Sequence, residues 1–211
     1  MKLKALALVA AVAGVAALSG CETMSAEQCA AADWGALGHS DAARSGSSRF
    51  DDRAESCAEK GISADATAYR RGFEDGMFEF CRPENGFAFA RRGGQFNGSC
   101  PAELSQQFGY AYSDGQRVRI AEQALEGARS QIGRLIADRE EIDDNIGSHE
   151  GSLREATTDE ERRRHRDEIA RLQRERRNVN DDLRVAQAQI PPLQRAVDDL
   201  RYEIGGRWGN W

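Results

Sequence analysis

The sequence contains few of the residues on which most catalytic sites depend. It holds three histidines and four prolines in 211 residues, and its lysines are Lys2, Lys4 and Lys60. It has no Gly-x-Ser-x-Gly elbow, no His-Glu-x-x-His pair and no glycine-rich loop of the kind that cradles phosphates. These shortages argue against the common hydrolases, metalloproteases and nucleotide-binding enzymes. We therefore expect a protein that is not an enzyme and that holds no cofactor and no metal.

The charge balance argues against nucleic acid as a partner. The formal net charge is −6, and an acidic chain repels the phosphate backbone. Arginine runs occur at Arg91 and Arg92 and at residues 162–166, but acidic residues surround each run. We interpret these runs as solvated surface.

The chain also lacks a long hydrophobic segment. Two lysines precede an apolar run from Ala5 to Ala17, which is too short to span a membrane comfortably. Leu-Ser-Gly-Cys follows the run at residues 18–21 and resembles the lipobox of bacterial lipoproteins. We therefore expect residues 1–20 to be a signal peptide and Cys21 to carry the acyl chains that anchor the protein to a membrane. An ordinary secretory signal and an uncleaved anchor are the alternatives.

Residue 22 bears on which membrane the anchor enters. In bacterial lipoprotein sorting, Asp after the lipidated cysteine favours the inner membrane, and this chain has Glu22. The predicted location is the outer membrane, with the protein lipid-anchored on the periplasmic face.

Four further cysteines, an even number in an exported chain, predict two disulfides. Three connectivities are open. The segment between Cys81 and Cys100 has turn residues at both ends and alternating phenylalanines, which predicts a short β-hairpin closed by a Cys81–Cys100 bond. Local closure then leaves Cys29 for Cys57. A four-cysteine metal site is the alternative, but no Cys-x-x-Cys spacing supports it.

A short pattern recurs three times before residue 118. Each copy has an aromatic residue, then a small residue three positions before an aspartate, and another small residue directly after it. Small residues at positions i and i+4 clear one face of a helix, so another backbone can approach closely. The rival hypothesis gathers the aspartates and two aromatic residues into one site for a cation or a sugar, formed by Trp34, Asp41, Tyr69, Asp75 and Asp114. We favour the packing interpretation.

These segments together resemble a known family. The Asp-Trp and Gly-x-x-Asp motifs, the Tyr-x-x-Gly-x-x-x-Gly segment, the Phe-Cys-x-Pro-x-Asn-Gly turn and the Gly-x-Cys-Pro return are similar to those of DUF2799, a family of uncharacterised bacterial lipoproteins. The resemblance covers residues 21–118. One departure is Ala42, where the family often has Gly. The resemblance implies an envelope lipoprotein and supplies no reaction.

The second half of the chain has a different pattern. Apolar positions alternate at spacings of three and four residues from Val118 to Ile146 and again from Ile169 to Ile204, which is typical of a coiled coil. Glycine and threonine between the two runs predict a turn at about 147–157. The expected antiparallel register sets Ile142 opposite Ile169 and Leu135 opposite Arg176. A parallel dimer or trimer of long helices is the alternative.

The predicted fold is mainly α. Residues 21–116 form a small disulfide-braced domain with a short β-hairpin, residues 117–204 form a long antiparallel helical hairpin, and residues 205–211 form a flexible tail. The predicted function is a structural or protein-interaction role, with residues 118–204 meeting a protein partner. The alternative is a glycan-binding module for peptidoglycan, in which the hairpin is a spacer or an oligomerisation element.

Overall fold

The computed structural model describes residues 24–98 and 100–209 of the chain. The expected signal peptide, the expected lipidation site Cys21 and Trp211 lie outside the described residues. Within them, none of the helices is both long enough and apolar enough to cross a membrane. Seven helices form this part of the chain: α1 (Ala26–Ala30), α2 (Trp34–Ser45), α3 (Phe50–Ala58), α4 (Ala66–Phe80), α5 (Pro83–Arg91), α6 (Ala102–Glu155) and α7 (Asp159–Trp208).

Side chains of the expected type start several of these helices. The Asp33 carboxylate accepts a hydrogen bond from the Ala36 backbone at the start of α2, and Asp65 does the same for two amides of α4. Pro83 occupies the first turn of α5, where its missing N–H costs no hydrogen bond. Thr158 begins α7 with a reciprocal capping box to Glu161.

The recurring small residues lie where helices cross. A Cβ atom on Gly72 would overlap the Gly35 carbonyl, and one on Gly76 would lie 2.8 Å from the Ala42 Cβ, so α4 meets α2 at backbone contact. The third copy works in the same way. A Cβ on Gly115 of α6 would lie 2.9 Å from the Ala90 Cβ of α5. These contacts agree with the packing interpretation of the pattern.

Two disulfides connect the short helices to the rest of the domain. Cys29 is bonded to Cys57, which ties α1 to α3, and Cys81 is bonded to Cys100, which ties the end of α4 to the segment before α6. All four cysteines pair as the sequence suggested. Such bonds commonly supplement the modest core of a domain this small.

The predicted β-hairpin between Cys81 and Cys100 is wrong. The described residues contain no strand, and Pro83–Arg91 form helix α5 instead. Phe87 and Ala90, three residues apart, are both buried on one helix face. The segment after α5 forms no strand and instead packs an aromatic ring against α6. The ring centroids of Phe96 and Phe108 are 4.9 Å apart. A short alternation of phenylalanines could not distinguish these outcomes.

The long helical hairpin is present, but its turn comes later than predicted. Helix α6 continues through Gly147 and Gly151 to Glu155, and α7 begins at Asp159. Each glycine costs a helix about 1 kcal/mol relative to Ala. Pairing with α7 offsets that cost, since Ile142, Ile146 and Leu172 form a buried cluster across the two arms.

The register of the hairpin also differs from the prediction. Arg176 donates to Asp143 at 2.9 Å, about eight residues along α6 from Leu135, the partner expected. Arg117 pairs with Glu203 at 2.8 Å, which shows the same displacement near the base. The shift is about one heptad. A seven-residue repeat presents apolar residues to apolar residues in either register, so the pattern alone could not choose between them.

The C-terminal segment is not a flexible tail as far as residue 208. Helix α7 runs through Pro191 and Pro192 and ends at Trp208. The Trp208 ring stacks on Phe87, with 6.3 Å between centroids. Helix α6 crosses residue 116, the predicted boundary between the domain and the hairpin, as one continuous helix.

Candidate functional site

Asp41 and Tyr69, two of the five residues proposed as a site, meet in the interior of the domain. Asp41 is 6 % exposed and accepts hydrogen bonds from Arg53 Nε at 3.0 Å, Arg53 Nη2 at 2.8 Å and the Tyr69 hydroxyl at 2.8 Å. The Tyr69 oxygen in turn accepts from the Arg49 backbone at 2.9 Å. This network joins α2, α3 and α4.

The electrostatics of this network hold Asp41 ionised. Burial alone would raise its pKa, but the hydrogen bonds from Arg53 and Tyr69 and the arginine charge outweigh burial, and the pKa lies below its ordinary value. Burial raises the pKa of the Tyr69 hydroxyl, so it stays protonated and donates. A carboxylate with these partners is a structural ion pair rather than a free ligand group.

Trp34 and Asp75 do not join Asp41 in a common site. Trp34 is buried and packs edge-on against Phe50, 6.0 Å between centroids. Its ring is therefore core and offers no stacking surface to a ligand. Asp75 is exposed on α4 and lines a shallow groove with His39 and Arg71.

Asp114 lies elsewhere, at the base of the hairpin. Its carboxylate accepts from Trp208 Nε1 at 2.9 Å and from Arg207 at 3.0 Å, and it contacts Arg117 at 3.3 Å. These groups line a cleft of about 530 Å³, here called the base cleft, together with Tyr110 and Ser113. The three aspartates therefore occupy three separate environments.

The base cleft combines an exposed aromatic ring with charged groups. Tyr110 is 64 % exposed, whereas the Asp114 side chain is 14 % exposed and is matched by two arginines. Arg117 and Arg207 also reach Glu203. The cleft therefore carries charges of both signs, and it can offer stacking and hydrogen bonds to a polar ligand. In the part of the chain described, no three His, Cys, Asp or Glu side chains converge as a metal cluster.

Sequence reasoning missed the partners of both aspartates. Arg53 lies twelve residues from Asp41 on another helix, and Arg207 lies in the segment predicted to be a tail. No local spacing links either arginine to its aspartate. Arg207 reaches Asp114 because α7 continues past residue 204.

The described part of the chain consists of two crossed helix pairs, which disulfides brace, and a long helical hairpin that extends from them. Residues 33–117 match the family model described as a protein of unknown function, DUF2799. The match ends near the start of the long arms. No curated protein and no solved structure matches the chain.

Proposed function

We propose that this protein is a lipid-anchored envelope protein, without enzymatic activity, that presents its helical hairpin to a protein partner in the periplasm. Cys21 would hold the acyl anchor at the outer membrane, and the disulfide-linked domain would be the rigid base. The observation that carries the proposal is the length of the hairpin beyond its base.

The hairpin extends well past the residues that hold it. Helix α5 contacts α6 as far along as Glu122. There Arg91 of α5 donates two hydrogen bonds to the Glu122 carboxylate, at 2.8 and 3.1 Å. From there to Glu155, the end of α6, is about 50 Å at 1.5 Å per residue. The buried cluster in this stretch is built from α6 and α7 residues. The hairpin buries the contact between its two helices and leaves their outer faces exposed. This arrangement suits contact with a partner far from the base.

In-cell photocrosslinking tests this proposal. A photoreactive amino acid would replace Ser148 on α6 or Ala170 on α7, both exposed near the tip. Glu74, exposed on α4, is the control position. We expect a discrete adduct with one protein from both tip positions and none from Glu74. Adducts from Glu74 alone, or no adduct from either tip position, would contradict the proposal.

The anchor needs its own measurement. Intact-mass analysis of the membrane-extracted protein should show a chain that begins at an acylated Cys21, and the Cys21→Ser variant should be released from the membrane fraction. An unmodified Cys21 in the native protein would remove both the anchor and the proposed location.

A second candidate function is glycan binding, with peptidoglycan as the ligand. The base cleft favours it, because an exposed tyrosine beside hydrogen-bonding groups can stack on a sugar ring. Retention of the protein on purified cell wall should then fall when Tyr110 becomes Ala. Phe78→Ala, at another exposed aromatic residue on α4, is the matched control. Equal retention of both variants would exclude the cleft as the binding site.

A further inference from the structure

The two histidines of the hairpin face each other beside the turn. His149 lies near the end of α6 and His165 in the second turn of α7. Their Nδ1 atoms are 3.1 Å apart and their ring centroids 5.3 Å apart, with both rings partly buried. The two rings lie on different arms, so a ligand that binds both rings would link the arms.

This separation suits two ligands of one metal ion. Imidazole nitrogens lie about 2.0–2.1 Å from Zn²⁺. Two nitrogens 3.1 Å apart would then subtend an angle of about 100° at the ion, between the octahedral and tetrahedral values. Each neutral ring would carry its proton on Nε2, which leaves both Nδ1 lone pairs to face the ion.

The charges around the pair do not exclude a cation. Arg162 is engaged by Asp159 at 3.1 Å, and Arg164 by Glu160 at 3.8 Å. The Glu168 carboxylate accepts hydrogen bonds from Arg171. Two of the four arginines at residues 162–166 are therefore matched by an acidic side chain.

We infer that His149 and His165 form a two-nitrogen site for a divalent transition-metal ion, which ties the arms of the hairpin together beside its turn. Imidazole suits Cu²⁺, Ni²⁺ and Zn²⁺, and Cu²⁺ binds most tightly in the general order of affinities. Water completes the coordination, since no further His, Cys, Asp or Glu among the described residues joins the pair as a third ligand. The site closes the tip without adding a covalent bond.

The third histidine provides a matched control for the test. His39 lies on α2, 3.6 Å from Glu79, and belongs to the disulfide-linked domain. The untagged full-length chain would be titrated separately with Zn²⁺ and with Cu²⁺ as wild type, His149→Gln, His165→Gln and His39→Gln. We expect one equivalent bound by wild type and by His39→Gln. Each tip variant should bind at least about tenfold more weakly.

Two measurements on the wild type guard against loss of folding in the variants. The Cu²⁺ electron paramagnetic resonance spectrum should show two nitrogen ligands, and Zn²⁺ should slow hydrogen exchange near the turn while the disulfide-linked domain is unchanged. The inference is overturned if all four chains bind alike, if wild type binds no metal, or if only one of the two tip variants is weakened.

Discussion

Glycine residues let the helices of the disulfide-linked domain approach to backbone contact. The opposing atom at Gly72 is the carbonyl of Gly35, which cannot move away as a flexible side-chain end could. The i, i+4 spacing of small residues was enough to predict this packing. The partner of each glycine was not predictable, because the crossing pairs α2 with α4 and α5 with α6 are tertiary contacts.

Gly72→Ala should destabilise the protein by about 1–3 kcal/mol, since the added methyl overfills a closed contact. Gly109→Ala is the matched control, because Gly109 lies within α6 and has no atom within 4 Å of the added Cβ. There the change should be neutral or stabilising by up to about 1 kcal/mol. Denaturant unfolding of both variants measures the difference. Equal effects would mean that the glycines are not packing devices.

A second prediction at the scale of residues concerns the ion pair between Asp41 and Arg53. Asp41→Asn leaves the Arg53 guanidinium, 15 % exposed, without its carboxylate, and removing one partner of a buried pair costs about 3–5 kcal/mol. Asp75→Asn, on the exposed face of α4, should change stability little. Urea unfolding at neutral pH compares the two variants, and similar losses would contradict the assignment of roles.

The pH dependence of that difference follows from the lowered pKa of Asp41. A group with a lowered folded-state pKa stabilises the protein fully above its unfolded pKa, here 3.8, and loses that contribution as pH falls through the folded value. The stability gap between wild type and Asp41→Asn should therefore be constant near neutral pH and should narrow below about pH 4. A stability difference between wild type and Asp41→Asn that widens as the pH falls would contradict the lowered pKa of Asp41.

At the scale of elements, the heptads predicted two paired helices and could not fix their register. The displacement by about one heptad keeps apolar residues together, so the choice depends on the turn and on the base. Thr158 starts α7 through its capping box, and Ile204 is fully buried with Val118 at the other end. Both ends agree with one register, and neither is visible in the repeat itself.

Cysteine pairs with a short bismaleimide linker can measure that register. Asp143→Cys with Arg176→Cys, in a Cys21→Ser background, should crosslink within one chain at a rate unaffected by dilution, because these positions are ion-paired. Leu135→Cys with Arg176→Cys tests the register predicted from the sequence, and in the observed register this pair should react more slowly than the first pair. Faster reaction of the second pair would support the register predicted from the sequence. Crosslinks between chains alone would mean that the arms associate intermolecularly.

At the scale of the whole molecule, the base and the hairpin are one continuous object. Helix α6 belongs to both, since Phe108 lies in the domain core and Ile142 in the arm. The end of α7 returns to the base, where Trp208 meets Asp114 and Phe87. The geometry of the arm is therefore set by the base, and its reach depends on the number of heptads.

Removing one heptad from each arm tests whether reach matters. Residues 140–146 and 173–179 lie opposite each other in the observed register, as the contact between Asp143 and Arg176 shows. Deleting both segments preserves the heptad phase and should shorten the arm by about 10 Å at 1.5 Å per residue. Small-angle X-ray scattering should report that decrease, and the base should still unfold cooperatively with its disulfides intact.

The functional readout is the photocrosslink from Ala170, which both deletions retain. If the hairpin spans a fixed distance to a protein partner, the adduct should fall sharply in the shortened chain while membrane anchoring is unchanged. Deleting residues 140–146 alone is the control for damage, because it leaves unequal arms and should destabilise the tip more than the paired deletion does. An undiminished adduct in the shortened chain would show that the partner follows the tip and that the length of the arm is not what positions it.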